Sequence, residues 1–405
     1  MGKWLLAILV IIVLVQVAKA AVLYLKDDPA AAIRGQPASA PAGDVKDLRD
    51  LLEPIRARYK VPALGAAVLH GDRVVALGAT GVRKAGGATP VTPEDLWHIG
   101  SCTKAMTATL IATFVEEGKL SWDQEIGEFF RASGEQVHPD WDRVTLEHLL
   151  SHTAGVPGDV PPPLWAKLWQ FKGTPTEARM ELVRPTLAAK PKAAPGEKYE
   201  YSNTGYAIAG AMAELATGES WESLMGSRLY GPLGITTGGF GAPGTPGTED
   251  QPWGHSRRGK PVEPGPRGDN PPAIGPAGTA HMSVGDWARF VSAHLLRKGA
   301  DLSSESYERM QTPPPGREYA LGWVVTTRGW AKGDGKGVGL THAGSNTMWH
   351  AVTWIAPERC FAVVITCNQG GSTAAKACDD VAGALLKAHM PQRAPAPAEP
   401  IGGPR

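Results

Sequence analysis

The chain has 405 residues, with 41 basic against 40 acidic side chains and a formal net charge of +1. A charge balance this even supplies no basic field for a polyanion, so nucleic-acid binding has no support. With its biased ends set aside, about 340 residues remain, enough for one large two-part domain with a substantial core.

In chain order, Met1-Gly2-Lys3 is followed by an apolar run from Trp4 to Val15 and by Gln16-Val17-Ala18-Lys19-Ala20. A positive start, an apolar centre and an A-x-A ending describe a secretory signal peptide. Ala20 to Leu25 extends the run to nearly spanning length, so residues 1–25 read either as that signal or as an uncleaved anchor. Both place the rest of the chain outside the cytoplasm, with membrane attachment in the second case, if the N-terminus stays inside. Residues 26–45, rich in Ala, Pro and Gly, read as a flexible linker, and residues 391–405 as a disordered Pro/Ala tail.

Between them, a helix is expected at 45–60, then β-like runs at Ala63–Leu69 and Arg73–Gly78. Helical patterns dominate from 101 to about 230. The Pro- and Gly-crowded stretch 241–277 reads as a long irregular excursion over the surface. Ser283 to Asp286 starts a helix ending near Leu296, in the manner of a capping box. Three β-like runs follow at 319–327, 347–355 and 360–367, and a helix from Thr373 to about Lys387 closes the domain. Strands at both ends with helices between them predict an α+β fold: an antiparallel sheet flanked by helices, plus an all-α subdomain spanning about 101–280. The cleft belongs at their junction.

Three clusters carry chemistry. The first is Ser101-Cys102-Thr103-Lys104, where a loop enters a helix whose apolar face is Met106, Leu110, Ile111, Phe114 and Val115. A spacing of three puts the hydroxyl and the amine one turn apart on the same face. Serine needs a base within reach to become a nucleophile, and lysine serves only if desolvation or a nearby cation lowers its pKa. At a helix N-terminus the dipole and free N–H groups favour developing negative charge. The second cluster is Tyr201-Ser202-Asn203. Its phenol can relay a proton, and its carboxamide can accept from Lys104 and donate to a substrate carbonyl. The third is His342-Ala343-Gly344-Ser345, ahead of a strand-like run from Trp349 to Ile355. Small residues there allow close backbone approach, and the N–H of Ser345 can join that of Ser101 as a two-donor oxyanion hole.

In this order, S-x-x-K, Y-x-N and H-x-G resemble the penicillin-recognising serine hydrolases: class C β-lactamases, D-alanyl-D-alanine carboxypeptidases and related esterases and D-aminopeptidases. Leu149 to Gly155 and Pro276 to Phe290 are similar to further family stretches, and the resemblance covers roughly residues 46 to 388. It implies a β-lactamase/transpeptidase-like fold across the catalytic domain at 46–390. It also implies acyl transfer through Ser101, with Lys104 and Tyr201 moving protons and the choice of base between them open. Asn203, His342, Gly344 and Ser345 then bind substrate or the oxyanion. No cofactor is expected, and the partner is a small-molecule or peptide substrate, with the oligomeric state left open.

The third motif departs from the K-T-G of typical β-lactamases. Lysine there is a permanent cation for the carboxylate of penicillins, whereas histidine is largely neutral at pH 7. His342 therefore favours esters, amides or D-amino-acid peptides, with a β-lactamase or a D-Ala-D-Ala carboxypeptidase as the alternative. A protein keeping the fold for binding alone is a further alternative, although it would need none of Ser101, Lys104, Tyr201 and Asn203.

The remaining signals are weaker. His148 and His152 lie four apart on an expected short helix, but no carboxylate sits at a third-ligand offset, so no metal site is expected. His98 reads as a pocket-lining or a packed strand-end residue. No G-x-S-x-G, P-loop or H-E-x-x-H occurs. Of four cysteines, Cys102 should be a small buried filler, and of Cys360, Cys367 and Cys378 one pair can bridge, Cys367 with Cys378 being the most plausible. Substrate choice should rest with loops such as 156–175 and 241–277.

Overall fold

The computed structural model describes residues 45–391. The leader at 1–25, all but the last residue of the linker and all but the first of the tail lie outside the described residues. Among the described residues, no helix is long and apolar enough to cross a membrane.

The elements in chain order begin with β1 (Lys46–Asp47), α1 (Arg49–Tyr59), β2 (Ala63–His70), β3 (Arg73–Gly81) and β4 (Trp97–His98). A helical segment follows: α2 (Thr103–Glu116), α3 (Ile126–Ala132), α4 (Leu146–Leu150), α5 (Pro162–Trp169), α6 (Pro175–Ala188), α7 (Asn203–Thr217) and α8 (Trp221–Leu224). The irregular stretch carries β5 (Gly239–Phe240), β6 (Gly254–His255), β7 (Pro261–Val262), α9 (Gly275–Gly278) and β8 (Ala280–Met282). The chain then runs through α10 (Val284–Leu296), α11 (Ser304–Gln311), β9 (Val324–Thr327), β10 (Val338–Gly344), β11 (His350–Ala356), β12 (Phe361–Cys367) and α12 (Ser372–His389).

Among the described residues, the main sheet has seven strands in the order β1-β3-β2-β12-β11-β10-β9. Strands from the two ends of the domain meet at its centre, where β12 pairs with β2 (Cys367 with Leu64, Phe361 with His70). Every pairing is antiparallel except the two-residue β1, which runs parallel to β3. The sheet is thus mixed at that edge, a small correction to the antiparallel expectation.

Alternation along β12 shows the layering. Phe361, Val363, Ile365 and Cys367 face α1 and α12, packing with Leu52, Ile55, Ala377, Val381 and Leu385. Ala362 and Val364 face the opposite core, with Phe290 and Val291 of α10 and the apolar residues of α2. Phe361, Val363, Val364 and Ile365, at about 1.5–3 kcal/mol each, would hold the sheet between its helices.

Helix α2 departs from the amphipathic reading, because it is buried on all sides from Thr103 to Phe114. Its threonines tolerate this by bonding backbone carbonyls: Thr107 Oγ1 donates to Pro276 O and Thr109 Oγ1 to Ala105 O. The capping reading at Ser283 holds, since its side chain accepts from Asp286 N. Strand β10 was not expected as a strand. Its Gly339, Ala343 and Gly344 dilute the β-like signal, and pairing with β9 and β11 supplies what local propensity lacks. The run expected at 347–355 begins only at His350, because 345–349 is a turn with Thr347 at φ 75°.

The expected Cys367–Cys378 bridge is not formed, and all four cysteines are free. The two share the apolar layer between β12 and α12 and pack there as small hydrophobes, where burial pushes the Cys367 thiol up to about 12.

Candidate active site

Ser101 sits in the single 3-10 turn Gly100–Cys102 that feeds α2. Gly100 has φ 51°, and a Cβ there would run into the backbone of Gly344 and Ser345. A Cβ on Gly344 would in turn strike the Ile99 carbonyl and the amides of Ser101 and Cys102. Two glycines therefore let the end of β10 meet the Ser101 turn backbone to backbone. This places Ser345 beside Ser101, as a two-donor oxyanion hole requires.

Lys104 is fully buried, which lowers its ammonium pKa well below the ordinary lysine range. Its Nζ donates to Asn203 Oδ1 at 2.7 Å and to Ala277 O at 2.7 Å, and lies 3.2 Å from Ser101 Oγ. A neutral amine has two N–H groups and one lone pair. In that neutral form the two carbonyl oxygens take the N–H groups, which leaves the lone pair for the serine hydroxyl.

Asn203 is the first residue of α7, and Ser202 before it caps the helix by accepting from Gly205 N at 3.2 Å. This cap ends the extended stretch at Tyr201 and starts the helix at Asn203, and both side chains reach Lys104. Tyr201 is 36 % exposed, yet its ring lies 4.3 Å from His152 and 4.7 Å from Lys104 Nζ. Crowding raises its phenol pKa, while a hydrogen bond with the Ser101 side chain opposes the shift. Solvent on the open side of the ring moderates the effect, but the phenol stays protonated at neutral pH.

His342 is only 5 % exposed. Its Nδ1 donates to Ala343 O at 2.7 Å, so Nε2 accepts from the Tyr319 hydroxyl at 2.9 Å. Burial, with Lys104 nearby, pushes its pKa down to about 3. The ring is therefore neutral, as the departure from K-T-G implied, and both of its nitrogens are engaged within the protein.

His148 and His152 do not share a helix face: His148 lies in α4, and His152 follows it in a turn at φ 60°. Each Nδ1 accepts a backbone N–H, from Thr145 and Ser202 respectively. His98 is fully buried in β4 and pairs with His281 across the small β4–β8–β5 sheet, the packed strand-end reading.

The beta-lactamase family profile matches residues 48–387, most of the chain and all three clusters. The chain belongs to the beta-lactamase family. It is similar to penicillin-binding protein 4 of Amycolatopsis lactamdurans, at 28% identity over 87% of this chain and 93% of that protein. It is also similar to a beta-lactamase of Escherichia coli K12, at 25% identity over 69% of this chain and 68% of that protein. Among solved structures, the octameric penicillin-binding protein homologue from Pyrococcus abyssi superposes with a TM-score of 0.68. Identity there is 25%, covering 84% of this chain and 76% of that one. The protein is thus a serine hydrolase of the beta-lactamase family, with that family's α+β fold.

Within this beta-lactamase-family site, sequence reasoning missed two partners. The Ala277 carbonyl lies in a stretch read only as similar to a family segment, Pro276 to Phe290, and no side-chain signal marks a backbone acceptor. Tyr319 stood in a β-like run, and its hydroxyl gained a role only once β10 was known to carry His342 beside it.

Proposed function

We propose that this protein is an extracytoplasmic acyl hydrolase that cleaves esters, amides or D-amino-acid peptides through an acyl-enzyme on Ser101. The observation that carries the reading is the bonding of Lys104, a buried amine whose N–H groups are taken by Asn203 and Ala277 while Ser101 Oγ lies 3.2 Å away. In the first step the Ser101 proton passes to Lys104 as Oγ bonds to the substrate carbonyl carbon. The carbonyl oxygen becomes an oxyanion held by the N–H groups of Ser101 and Ser345, each worth about 3 kcal/mol. As the intermediate collapses, the bond to the leaving group breaks, and the leaving group takes its proton through the Tyr201 phenol. Water then enters by the reverse relay, freeing the acid product and Ser101.

Lys104 is the better acylation base, because Tyr201 begins protonated. The neutral His342 favours acyl donors without a carboxylate at the K-T-G position. An extracytoplasmic location rests on the apolar leader in the sequence.

The test is the intact mass of the protein after mixing with an activated ester and, separately, with benzylpenicillin, beside Ser101→Ala. An ester adduct or turnover that requires Ser101 is expected, with benzylpenicillin slower. Faster acylation by benzylpenicillin would make the protein a β-lactamase or carboxypeptidase instead, and an unlabelled Ser101 with both reagents would overturn the acyl-enzyme.

A further inference from the structure

Asp269 lies in the Pro/Gly-rich excursion, 3 % exposed. Its Oδ1 accepts from Asn346 Nδ2 at 2.9 Å and sits 2.9 Å from His98 Nε2, off the line of that N–H. Oδ2 is buried with no hydrogen-bond partner among the described residues. Removing a carboxylate from water is costly unless its partners compensate. Both partners here lead to the same place.

On one side, His98 Nδ1 accepts the Gly100 N–H at 3.1 Å. That leaves the imidazole proton on Nε2, the nitrogen facing Asp269. The charge of Asp269 favours this tautomer and so keeps Nδ1 free for Gly100, the residue before the nucleophile. On the other side, Asn346 Oδ1 accepts from Met348 N and Trp349 N, both at 3.1 Å, closing the turn directly after Ser345. The excursion is also held by bonds that do not use this carboxylate. The Asp269 backbone carbonyl accepts from Trp169 Nε1 at 3.0 Å, and Asn270 Nδ2 donates to Gly278 O at 3.3 Å.

We propose that Asp269 is a positioning residue that sets both halves of the oxyanion hole, through His98 for the Ser101 N–H and through Asn346 for the Ser345 N–H. The inference rests on the acyl-transfer reading above. One carboxylate oxygen fixes the distance between two backbone segments that the chain separates by more than 200 residues.

The experiment compares wild type, Asp269→Asn, His98→Ala, the double variant and Ser101→Ala. Acylation by p-nitrophenyl acetate and labelling by a fluorophosphonate are measured per titrated active site. Asp269→Asn keeps the size of the side chain but removes its charge. It should lower kcat by about 10- to 100-fold, less than the loss of a whole oxyanion donor, with KM within about twofold. His98→Ala should behave alike, and the double variant should lose less than the product of the two single losses. A tether that merely holds the loop would lower the melting temperature and the number of titratable sites, leaving kcat per site unchanged; that result overturns the proposal. Multiplicative losses in the double variant overturn it too. If Asp269→Asn does not fold, Asn346→Ala carries the same kcat expectation. A wild type that neither reagent labels at Ser101 defeats the acyl-transfer reading itself, and the positioning role with it.

Discussion

Lys104 and Asn203 are joined by a 2.7 Å hydrogen bond in which the amine of a helix buried from Thr103 to Phe114 donates to the first side chain of another. The bond orients the amine as well as anchoring it, because it uses one of the two N–H groups that would otherwise compete for Ser101. Asn203→Leu should therefore reduce acylation more than binding, lowering kcat by about 10- to 100-fold as a misaligned base would. Steady-state kinetics with one ester separates the two parameters.

Ser101→Ala should abolish turnover and leave folding intact, since its side chain supports no packing beyond the site. Residual activity of no more than about a thousandth of wild type is expected, together with an unchanged thermal midpoint. Hydrolysis near the wild-type rate would remove Ser101 from the mechanism.

Lys104→Arg tests whether the amine acts as a base. Guanidinium stays charged at any working pH and offers no lone pair to the serine hydroxyl, so activity should be lost. In wild type, the acid limb of kcat/KM reports Lys104 losing its proton, and desolvation sets that limb below the ordinary lysine pKa. Activity should rise with pH through the depressed value and then level off. A limb at the unperturbed value of about 10.4 would contradict the assignment.

His342→Lys restores the cation of the K-T-G pattern where the protein holds a neutral ring. The ratio of acylation rates, benzylpenicillin over an uncharged ester, should rise by about tenfold, equivalent to about 1.4 kcal/mol of new attraction for a carboxylate. The companion change Tyr319→Phe removes the hydroxyl donating to Nε2. It should destabilise the fold by about 1–3 kcal/mol, the penalty for an unpaired buried acceptor, measurable by denaturant unfolding.

Acid should unfold the protein early. His281 is held down to about 4, and His294 and His342 to about 3, each chiefly by burial. Between those values and the unfolded value of about 6.5, the unfolded chain binds protons that the native state refuses. Stability therefore falls as pH drops below about 6.5, by about 1.4 kcal/mol per pH unit for each such histidine. Glu53, held down to about 2, adds to the loss only below its unfolded range, and Glu222, whose carboxyl is raised by burial, works the other way. His294→Leu, remote from Ser101, should flatten the slope by about 1.4 kcal/mol per pH unit in urea titrations at pH 5 and 6.

Much of this architecture was legible in local pattern. The S-x-x-K spacing is a helical repeat and Ser283 is a capping residue, so both the Lys104 contact and the start of α10 could be read directly, whereas the cap at Ser202 was not. What escaped reading was set by tertiary pairing. Strand β10 is glycine-diluted and gains its identity from β9 and β11. Tyr319, Asp269 and the Ala277 carbonyl meet the site only after long excursions, and nothing in their own neighbourhoods marks them. The Cys367–Cys378 expectation failed for a related reason. Proximity in the fold was correct, but an apolar layer accommodates two thiols as packing groups without joining them.

The pairing of β12 with β2 places residues some 300 apart side by side at the centre of the sheet. On a ribosome the N-terminal hairpin emerges long before its partner exists, and non-local pairing of this kind is slow to form. The helical segment can condense early, yet β10 has only the short β9 to lie against until β11 and β12 arrive. A nascent chain carrying Ser101, Lys104 and Tyr201 thus lacks the strand end that supplies Ser345. On the acyl-transfer reading, synthesis itself would act as a timer, leaving Ser101 without its second oxyanion donor until the last strands are delivered.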